Sequence, residues 1–295
     1  MDIYVGTAGF DYKDWNGIVY PPDLNKQDRL SFLAQYFDCC EINSSFYGPI
    51  RPNAAQGWCR AVSGNRRFLF PVKLYRAYTH VAQGEKRPEP FVLKVKPEEE
   101  KQTFAGLDAL AEEGRLGAVL IQFANSFKNE DDTRSYLFSL INKFKRYPLV
   151  LEIRHDSWND PDILARLTEE GVGFCNIDQP RIGGLTGTQH TTSPTGYVRL
   201  HGRNYKEWFT AKTVNDRYNY LYKPDQLKPW TDKIKTIASK AEKTFAVANN
   251  HNLGKAAVNA LEIESMLSGE PVDAPEPLVE KYPELKEFVK RSGAH

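Results

Sequence analysis

Charged and polar side chains recur at the ends of short apolar segments, and their types suit acid–base and nucleophilic chemistry. The candidate catalytic residues are Glu152, Lys73, His201 and Asp178. A carboxylate or a histidine can transfer protons, and a lysine can act as a nucleophile or stabilise negative charge. The candidate substrate-binding residues of the same segments are Glu41, Asn43, Arg154, Arg199, Arg203, Asn249 and Asn250. Arginine binds carboxylates and phosphates through paired hydrogen bonds, so this set predicts a site for an anionic ligand.

The spacing of these residues places several charges on one face of a strand. Three pairs are each two positions apart: Glu41 with Asn43, Glu152 with Arg154, and Arg199 with His201. Side chains alternate along a strand, so both members of a pair point the same way. Buried charges must neutralise one another, so we expect Glu152 beside Arg199. We also expect water to reach this pair, so that Glu152→Gln keeps near-normal thermal stability but loses anion binding.

Eight short apolar segments carry these polar residues and indicate eight β-strands. They are residues 3–7, 39–43, 67–73, 118–122, 149–154, 172–178, 196–201 and 244–249. Near-continuous apolar runs suit strands that are buried on both faces, as in a parallel sheet. Stretches with apolar residues at helical spacing separate most of the strands, at 28–37, 97–113, 132–144, 161–170, 224–242 and 254–267.

This alternation predicts an α/β protein with a single (β/α)₈ TIM barrel. Its sixth helix is weak or replaced by a long loop, because residues 179–195 are rich in Gly, Thr and Pro. We expect residues 1–270 to form the barrel and residues 271–295 to be a tail that packs on it. Active sites of such barrels lie at the C-terminal ends of the strands, where the polar residues occur.

Two further features of these strand ends bear on the ligand. Strands seven and eight often build the phosphate site of a TIM barrel, and Arg203 and Asn249 follow them here. The helix that starts near residue 254 could direct its N–H groups at an anion. Tyr12, Trp15 and Tyr47 fall in the first loops and predict aromatic walls suited to a planar or sugar-like ligand.

The overall composition excludes several classes of protein. The chain has 295 residues, with 39 Lys and Arg against 38 Asp and Glu, so it is not a globally basic nucleic-acid coat. Its four cysteines form no C-x-x-C pair, which argues against a zinc ribbon and suits a reducing cytoplasm. We expect no signal peptide, and no apolar run approaches the ~20 residues that a membrane-spanning helix needs. We therefore expect a cytoplasmic protein with no membrane partner.

Several longer motifs occur in a fixed order along the chain. They are VGTAGF from Val5, EINSSFY from Glu41, FPVK from Phe70, EIRHDSW from Glu152, YVRLHGR from Tyr197 and NNH from Asn249. Together they resemble the YecE-like family, domain of unknown function 72, over residues 3–267. The resemblance implies a TIM barrel and supplies no activity. The chain departs from the family pattern after Gln122, where two prolines are usual, and at Ala248, where an aromatic residue is common.

Three functions are compatible with this pattern. The first is an enzyme acting on a small anionic substrate, such as a phosphorylated sugar or a nucleotide-like compound. The second is a divalent-metal-dependent hydrolase or isomerase, whose candidate ligands are Glu41, Glu152, Asp178, His201 and His251. The third is a nucleic-acid-binding module built on the aromatic and basic segment 204–223, which we expect instead to cover the barrel mouth as a lid. The pattern identifies no cofactor and no oligomeric state.

Overall fold

Eight parallel strands form a barrel in the computed structural model, which describes residues 2–180, 184–205 and 218–290. The strands are β1 (Asp2–Ala8), β2 (Cys39–Glu41), β3 (Phe70–Lys73), β4 (Leu116–Gln122), β5 (Leu149–Glu152), β6 (Gly173–Asp178), β7 (Thr195–Leu200) and β8 (Lys243–Ala248). They pair in the order β2-β1-β8-β7-β6-β5-β4-β3. Parallel bridges from Cys39 to Leu69 and from Ile42 to Val72 bring the two ends of the sheet together. The predicted fold class is confirmed.

Helices alternate with the strands and cover the outside of the barrel. They are α1 (Arg29–Leu33), α2 (Pro52–Ala61), α3 (Pro97–Glu112), α4 (Asp131–Phe144), α5 (Pro161–Glu169), α6 (Pro224–Ala238), α7 (Lys255–Ser268) and α8 (Glu276–Lys281). Several begin with proline, whose fixed φ and missing N–H suit the first turn of a helix. The described residues between β6 and β7 contain no helix, so the loop predicted for the sixth unit is confirmed.

Some helices differ from their predicted extents, and one was not predicted. α1 spans five residues instead of ten, and α6 ends at Ala238 rather than at residue 242. α2 contains Asn53 and Gly57, both poor helix formers, so its sequence gives a weak signal. Its buried face, which includes Ala55 and Cys59, packs against the rest of the protein, and this packing stabilises the helix.

Side chains on the strands alternate between the barrel interior and the layer under the helices. On β7, Tyr197 packs in the interior with Phe245, whereas Val198 and Leu200 belong to the outer core. Arg199 has the same parity as Tyr197 and therefore points into the barrel. The spacing of two along each strand thus selects which charges enter the interior.

Residues beyond α7 pack back onto the barrel. Val272 forms a bridge with Val289, and Leu278 and Leu285 are fully buried. Tyr282 Oη donates to the carbonyl oxygen of Leu253 at 2.7 Å, in the loop that follows β8. The residues beyond α7 therefore stabilise the loop that follows β8, at the C-terminal end of the barrel. In the part of the chain that the structure describes, no helix is long and apolar enough to cross a membrane.

Candidate functional site

A network of buried charges lies at the C-terminal ends of the strands, inside the barrel. Arg199 Nη2 donates to Glu41 Oε1 at 2.6 Å, and Arg199 Nη1 donates to Glu152 Oε2. Tyr197 Oη donates to Glu41 Oε2 at 2.8 Å. The structure therefore shows the expected contact between Glu152 and Arg199, and it adds Glu41 as a second carboxylate on the same guanidinium.

The second oxygen of Glu152 is also occupied. Arg154 donates to Glu152 Oε1 through Nε at 3.0 Å and Nη2 at 2.9 Å. Burial raises the pKa of Glu152, but the stronger combined effect of Arg199 and Arg154 holds it well below the ordinary value. The expectation that water reaches the Glu152–Arg199 pair is wrong, because the exposed fractions of these residues are 0% and 1%. Glu152 is an ionised, paired group and cannot donate a proton at neutral pH.

His201 lies beside Glu152 as a neutral imidazole. With Nδ1 accepting from Asn249 Nδ2 at 2.8 Å, its Nε2 proton faces Glu152 Oε1 at 3.3 Å. Burial lowers the pKa of His201 to about 3, against the opposing effect of Glu152. Its contacts orient the amide of Asn249, and its low pKa means that it carries no charge near pH 7.

Lys73 is placed differently from the two arginines of the network. Its Nζ lies 3.9 Å from the ring centroid of Phe46, and within the described residues no carboxylate oxygen comes within 4.0 Å of it. Burial, together with the charges of Arg199 and Arg154, lowers the pKa of Lys73 to about 7 despite the two nearby glutamates. Lys73 is therefore a partly neutral amine at physiological pH.

This depressed pKa predicts that Lys73→Met stabilises the unliganded protein. The folded state releases a proton that the unfolded lysine holds, so folding is penalised as the pH falls from about 10 to 7. We expect a gain of about 1–3 kcal/mol in the free energy of unfolding at pH 7, measured with urea. The gain should shrink towards pH 10, and the exposed control Lys26→Met should change stability by less than about 0.5 kcal/mol. Destabilisation by Lys73→Met at pH 7 would contradict this prediction.

A cavity of about 640 Å³ opens above the charge network at the mouth of the barrel. Its polar lining consists of Asp11, Asn43, Ser44, Lys73, Arg199 and Asn249. Its aromatic walls consist of Phe10, Tyr12, Phe46, Tyr47, Trp58, Tyr218 and His251. Tyr12 stacks on His251 with ring centroids 4.3 Å apart, and Tyr47 is 72% exposed at the rim. A few polar groups within aromatic walls are typical of a pocket for a small molecule.

Three buried polar atoms of the cavity residues have no partner in the described part of the chain. They are Asn43 Oδ1, Arg199 Nε and His251 Nδ1. A buried polar atom without a hydrogen bond is unfavourable by about 1–3 kcal/mol, so such atoms call for a water or a ligand. Burial lowers the pKa of His251 to about 4, so its ring is neutral and can accept or donate according to its tautomer.

Other predicted site residues lie outside the cavity. Arg203 Nε donates to Asp178 Oδ2 at 2.8 Å, and these two residues form a separate pair. Asn250 is fully buried and donates to the carbonyl oxygen of Tyr220 at 2.7 Å, so it fixes the chain near that residue. Trp15 is fully buried, and it packs behind the aromatic wall of the cavity rather than lining it. The cavity thus receives Tyr12, Asn43, Tyr47, Lys73, Arg199 and Asn249 from the predicted set, with Glu41, Glu152, Arg154 and His201 in the network at its base.

A carboxylate of the protein lies at the loop between β8 and α7. The backbone N–H of Leu253, two residues before α7 begins, donates to Asp14 Oδ2 at 2.6 Å. This backbone donor is therefore not available to a ligand. Among the predicted site residues, Lys73 at the end of β3 is a cation with no carboxylate partner in the described residues, whereas Arg203 after β7 is paired with Asp178.

The carboxylates and imidazoles considered as metal ligands do not converge. Within residues 2–180, 184–205 and 218–290, no group of three or more His, Cys, Asp or Glu side chains is placed to hold a metal ion. Glu41 and Glu152 bond to Arg199, while Asp178 bonds to a different arginine. These ion pairs use the oxygens that a cation would need.

Several wall residues were not predicted from the sequence. Phe46 belongs to the motif that begins at Glu41, so its proximity to Asn43 was a usable signal. Trp58 lies on α2. It was not predicted as a wall residue because α2 itself was not predicted from the sequence. Of the predicted lid, residues 206–217 lie outside the described residues. Tyr218 lines the cavity and Tyr222 is 1% exposed, so these two aromatic side chains turn inward.

Comparison with known proteins identifies the family. The model of the family described as "Protein of unknown function DUF72" matches residues 4–282. A crystal structure of a DUF72 family protein from Thermotoga maritima is 31% identical, with a TM-score of 0.77 over 91% of this chain and 100% of that one. One from Enterococcus faecalis is 24% identical, with a TM-score of 0.76 over 90% of this chain and 95% of that one. No curated protein matches the chain. The chain therefore belongs to the DUF72 family, which is the YecE-like family that its motifs resemble.

Proposed function

We propose that the protein is an enzyme that acts on a small anionic substrate, such as a phosphorylated sugar or a nucleotide-like compound, in the barrel-mouth cavity. The observation that carries this proposal is the position of Lys73. Its amine lines the cavity, and no carboxylate of the described residues pairs with it. An anionic group bound beside Lys73 would supply the missing countercharge.

The charge balance around Lys73 supports an anion rather than a cation. All four oxygens of Glu41 and Glu152 accept hydrogen bonds from Tyr197, Arg199 or Arg154. Two carboxylates thus face two guanidiniums, and a protonated Lys73 adds one positive charge to a balanced group. Charge that is fixed in a desolvated cavity acts more strongly on a ligand than charge exposed to solvent.

The size and walls of the cavity support a substrate that carries a ring or a short carbon chain. Its volume of about 640 Å³ falls within the range of sites for small molecules. Tyr12 and His251 form a stacked pair, and Trp58 and Phe46 add further aromatic surface. Asn43 and Asn249 provide amides that can bond to hydroxyl or phosphate oxygens.

In this proposal Lys73 is the catalytic residue. A group whose pKa lies near the working pH is suited to proton transfer, and Lys73 meets this condition with a pKa of about 7. Glu152 and His201 have pKa values too low to hold a proton at neutral pH. We therefore assign Glu152, His201 and Arg154 to positioning Arg199 and Asn249 under the substrate.

A thermal-shift panel tests this proposal. The ligands are sulfate, phosphorylated sugars, nucleotides, their uncharged parent sugars and nucleosides, and a single-stranded oligonucleotide. We expect anionic small molecules to raise the melting temperature of the wild type and of Lys73→Arg, which keeps the charge. Lys73→Met removes the charge and should abolish the shift. Equal shifts in all three proteins, or tight salt-sensitive binding of the oligonucleotide alone, would refute the proposal.

A further inference from the structure

We propose that the Lys73 amine forms a Schiff base with its substrate, which is therefore an aldehyde or a ketone that also carries an anionic group. This inference rests on the proposed function and narrows its substrate class. It is carried by the placement of Lys73 at a cavity wall, by the lack of a carboxylate partner in the described residues, and by two neighbouring guanidiniums.

The backbone of Lys73 is held firmly at the end of β3. Its N–H donates to the carbonyl oxygen of Ile42 at 3.1 Å, and its own carbonyl oxygen accepts from Ser45 Oγ at 2.6 Å. The ring of Phe46 lies under the amine. These contacts fix where the side chain starts and where Nζ lies, while leaving its nitrogen without a strong acceptor. A nucleophile needs this combination of defined position and unshared lone pair.

The surrounding charges favour the neutral amine. The charged and titratable groups that face Lys73 or lie beside it are Arg199 of β7, Glu152 of β5, Arg154 just after β5, Glu41 of β2, and Arg76 and His80 after β3. Both glutamates are paired with Arg199, and His80 is neutral because burial lowers its pKa to about 4. A lysine beside other cations and shielded from water is activated in this way. With a pKa of about 7, its neutral fraction at pH 7 is roughly a thousandfold that of an ordinary lysine.

The covalent step is a balanced condensation. The nitrogen lone pair of Lys73 attacks the carbonyl carbon, the C=O π-bond breaks, and a carbinolamine forms. Both protons of the amine pass to the oxygen, which leaves as water when the C–O bond breaks and the C=N bond forms. Uptake of one proton from solvent gives the iminium. No oxidant or reductant takes part.

The iminium explains why the substrate should also be an anion. It places one positive charge where the ammonium would have been, inside the same balanced group of two carboxylates and two guanidiniums. A phosphate or carboxylate elsewhere on the substrate neutralises that charge without an added protein carboxylate. A neutral carbonyl compound lacks this compensation and should form less adduct.

Reductive trapping tests this inference directly. The wild type is incubated at pH 7 with dihydroxyacetone phosphate and cyanoborohydride, which reduces an iminium to a stable secondary amine. Dihydroxyacetone, which has the same ketone without the phosphate, is the matched probe. Intact mass and peptide mapping locate the adduct. We expect labelling of Lys73 to exceed that of the exposed Lys26 by about tenfold or more, and to require the phosphate.

Two variants separate this inference from the proposed function. Lys73→Arg keeps the positive charge but cannot form an imine, so it should retain the thermal shift by dihydroxyacetone phosphate and give no adduct at residue 73. Lys26→Arg should behave as the wild type. A thermal shift in the wild type with no adduct, or with labelling spread equally over Lys26 and Lys73, overturns the Schiff base alone. The absence of both shift and adduct overturns the proposed function as well.

Discussion

Arg199→Met is expected to lower the free energy of unfolding by about 3–5 kcal/mol. Arg199 is the shared partner of Glu41 and Glu152, and all three side chains are buried. Methionine fills much of the space but leaves two carboxylates in the barrel without their common cation, so one must take up a proton or remain unpaired. Urea denaturation followed by circular dichroism measures the change.

Two further variants sharpen this test. Lys290→Met removes an exposed partner of Asp273 and should change stability by less than about 1 kcal/mol. Arg199→Lys keeps one charge but cannot bond to two carboxylates as the guanidinium does, so its loss should be intermediate. Full stability of Arg199→Met would show that the network is hydrated in solution. The burial of Glu152 likewise replaces the expectation of near-normal stability for Glu152→Gln with one of clear destabilisation.

Sulfate affinity is expected to fall about fiftyfold between pH 7 and pH 9, with a slope that approaches tenfold per pH unit above pH 8. The pKa of Lys73 is about 7 in the empty cavity, and a bound anion raises it by favouring the ammonium. Below pH 7 the ammonium is already present and affinity is constant. Above pH 7 binding must take up a proton, so affinity declines until the pH passes the pKa of the complex. Sulfate itself does not titrate in this range, and calorimetry measures its binding.

The neighbouring histidines do not contribute to the pH dependence of sulfate affinity. His80, His201 and His251 have pKa values of about 4, 3 and 4, so they stay neutral from pH 6 to pH 9. Lys73→Arg provides the control, because its guanidinium stays charged and its affinity should be flat with pH. A wild-type profile that matches that of Lys73→Arg would assign anion binding to another group.

The buried network explains why so many charges surround one amine. Arg199 and Arg154 lower the pKa of Lys73, while Glu152 and Glu41 hold those guanidiniums in place. The carboxylates therefore act on the cavity through the arginines that they position. This arrangement reduces stability at neutral pH, as the expected gain for Lys73→Met indicates, and such a loss is typical of functional sites.

The sequence by itself determined the barrel and the end at which the charges lie. Short, near-continuous apolar runs favour strands buried on both faces, and the period of two along a strand fixes which side chains enter the interior. Glu41, Glu152 and Arg199 could therefore be placed together before any distance was known. Their motifs also resembled the right family.

The sequence predicted the pair of Glu152 with Arg199, and only the tertiary structure showed the second carboxylate on that guanidinium and the different placement of Lys73. Glu41 and Arg199 are 158 positions apart, and no local pattern states that one guanidinium joins two carboxylates while Lys73 has none among the described residues. The pocket wall on α2 depends on packing because a helix of ten residues that contains Asn53 and Gly57 is only marginally stable by itself in water. Distances across the barrel set the pairing energies, and those energies in turn set the pKa of Lys73 and hence the chemistry that we assign to it.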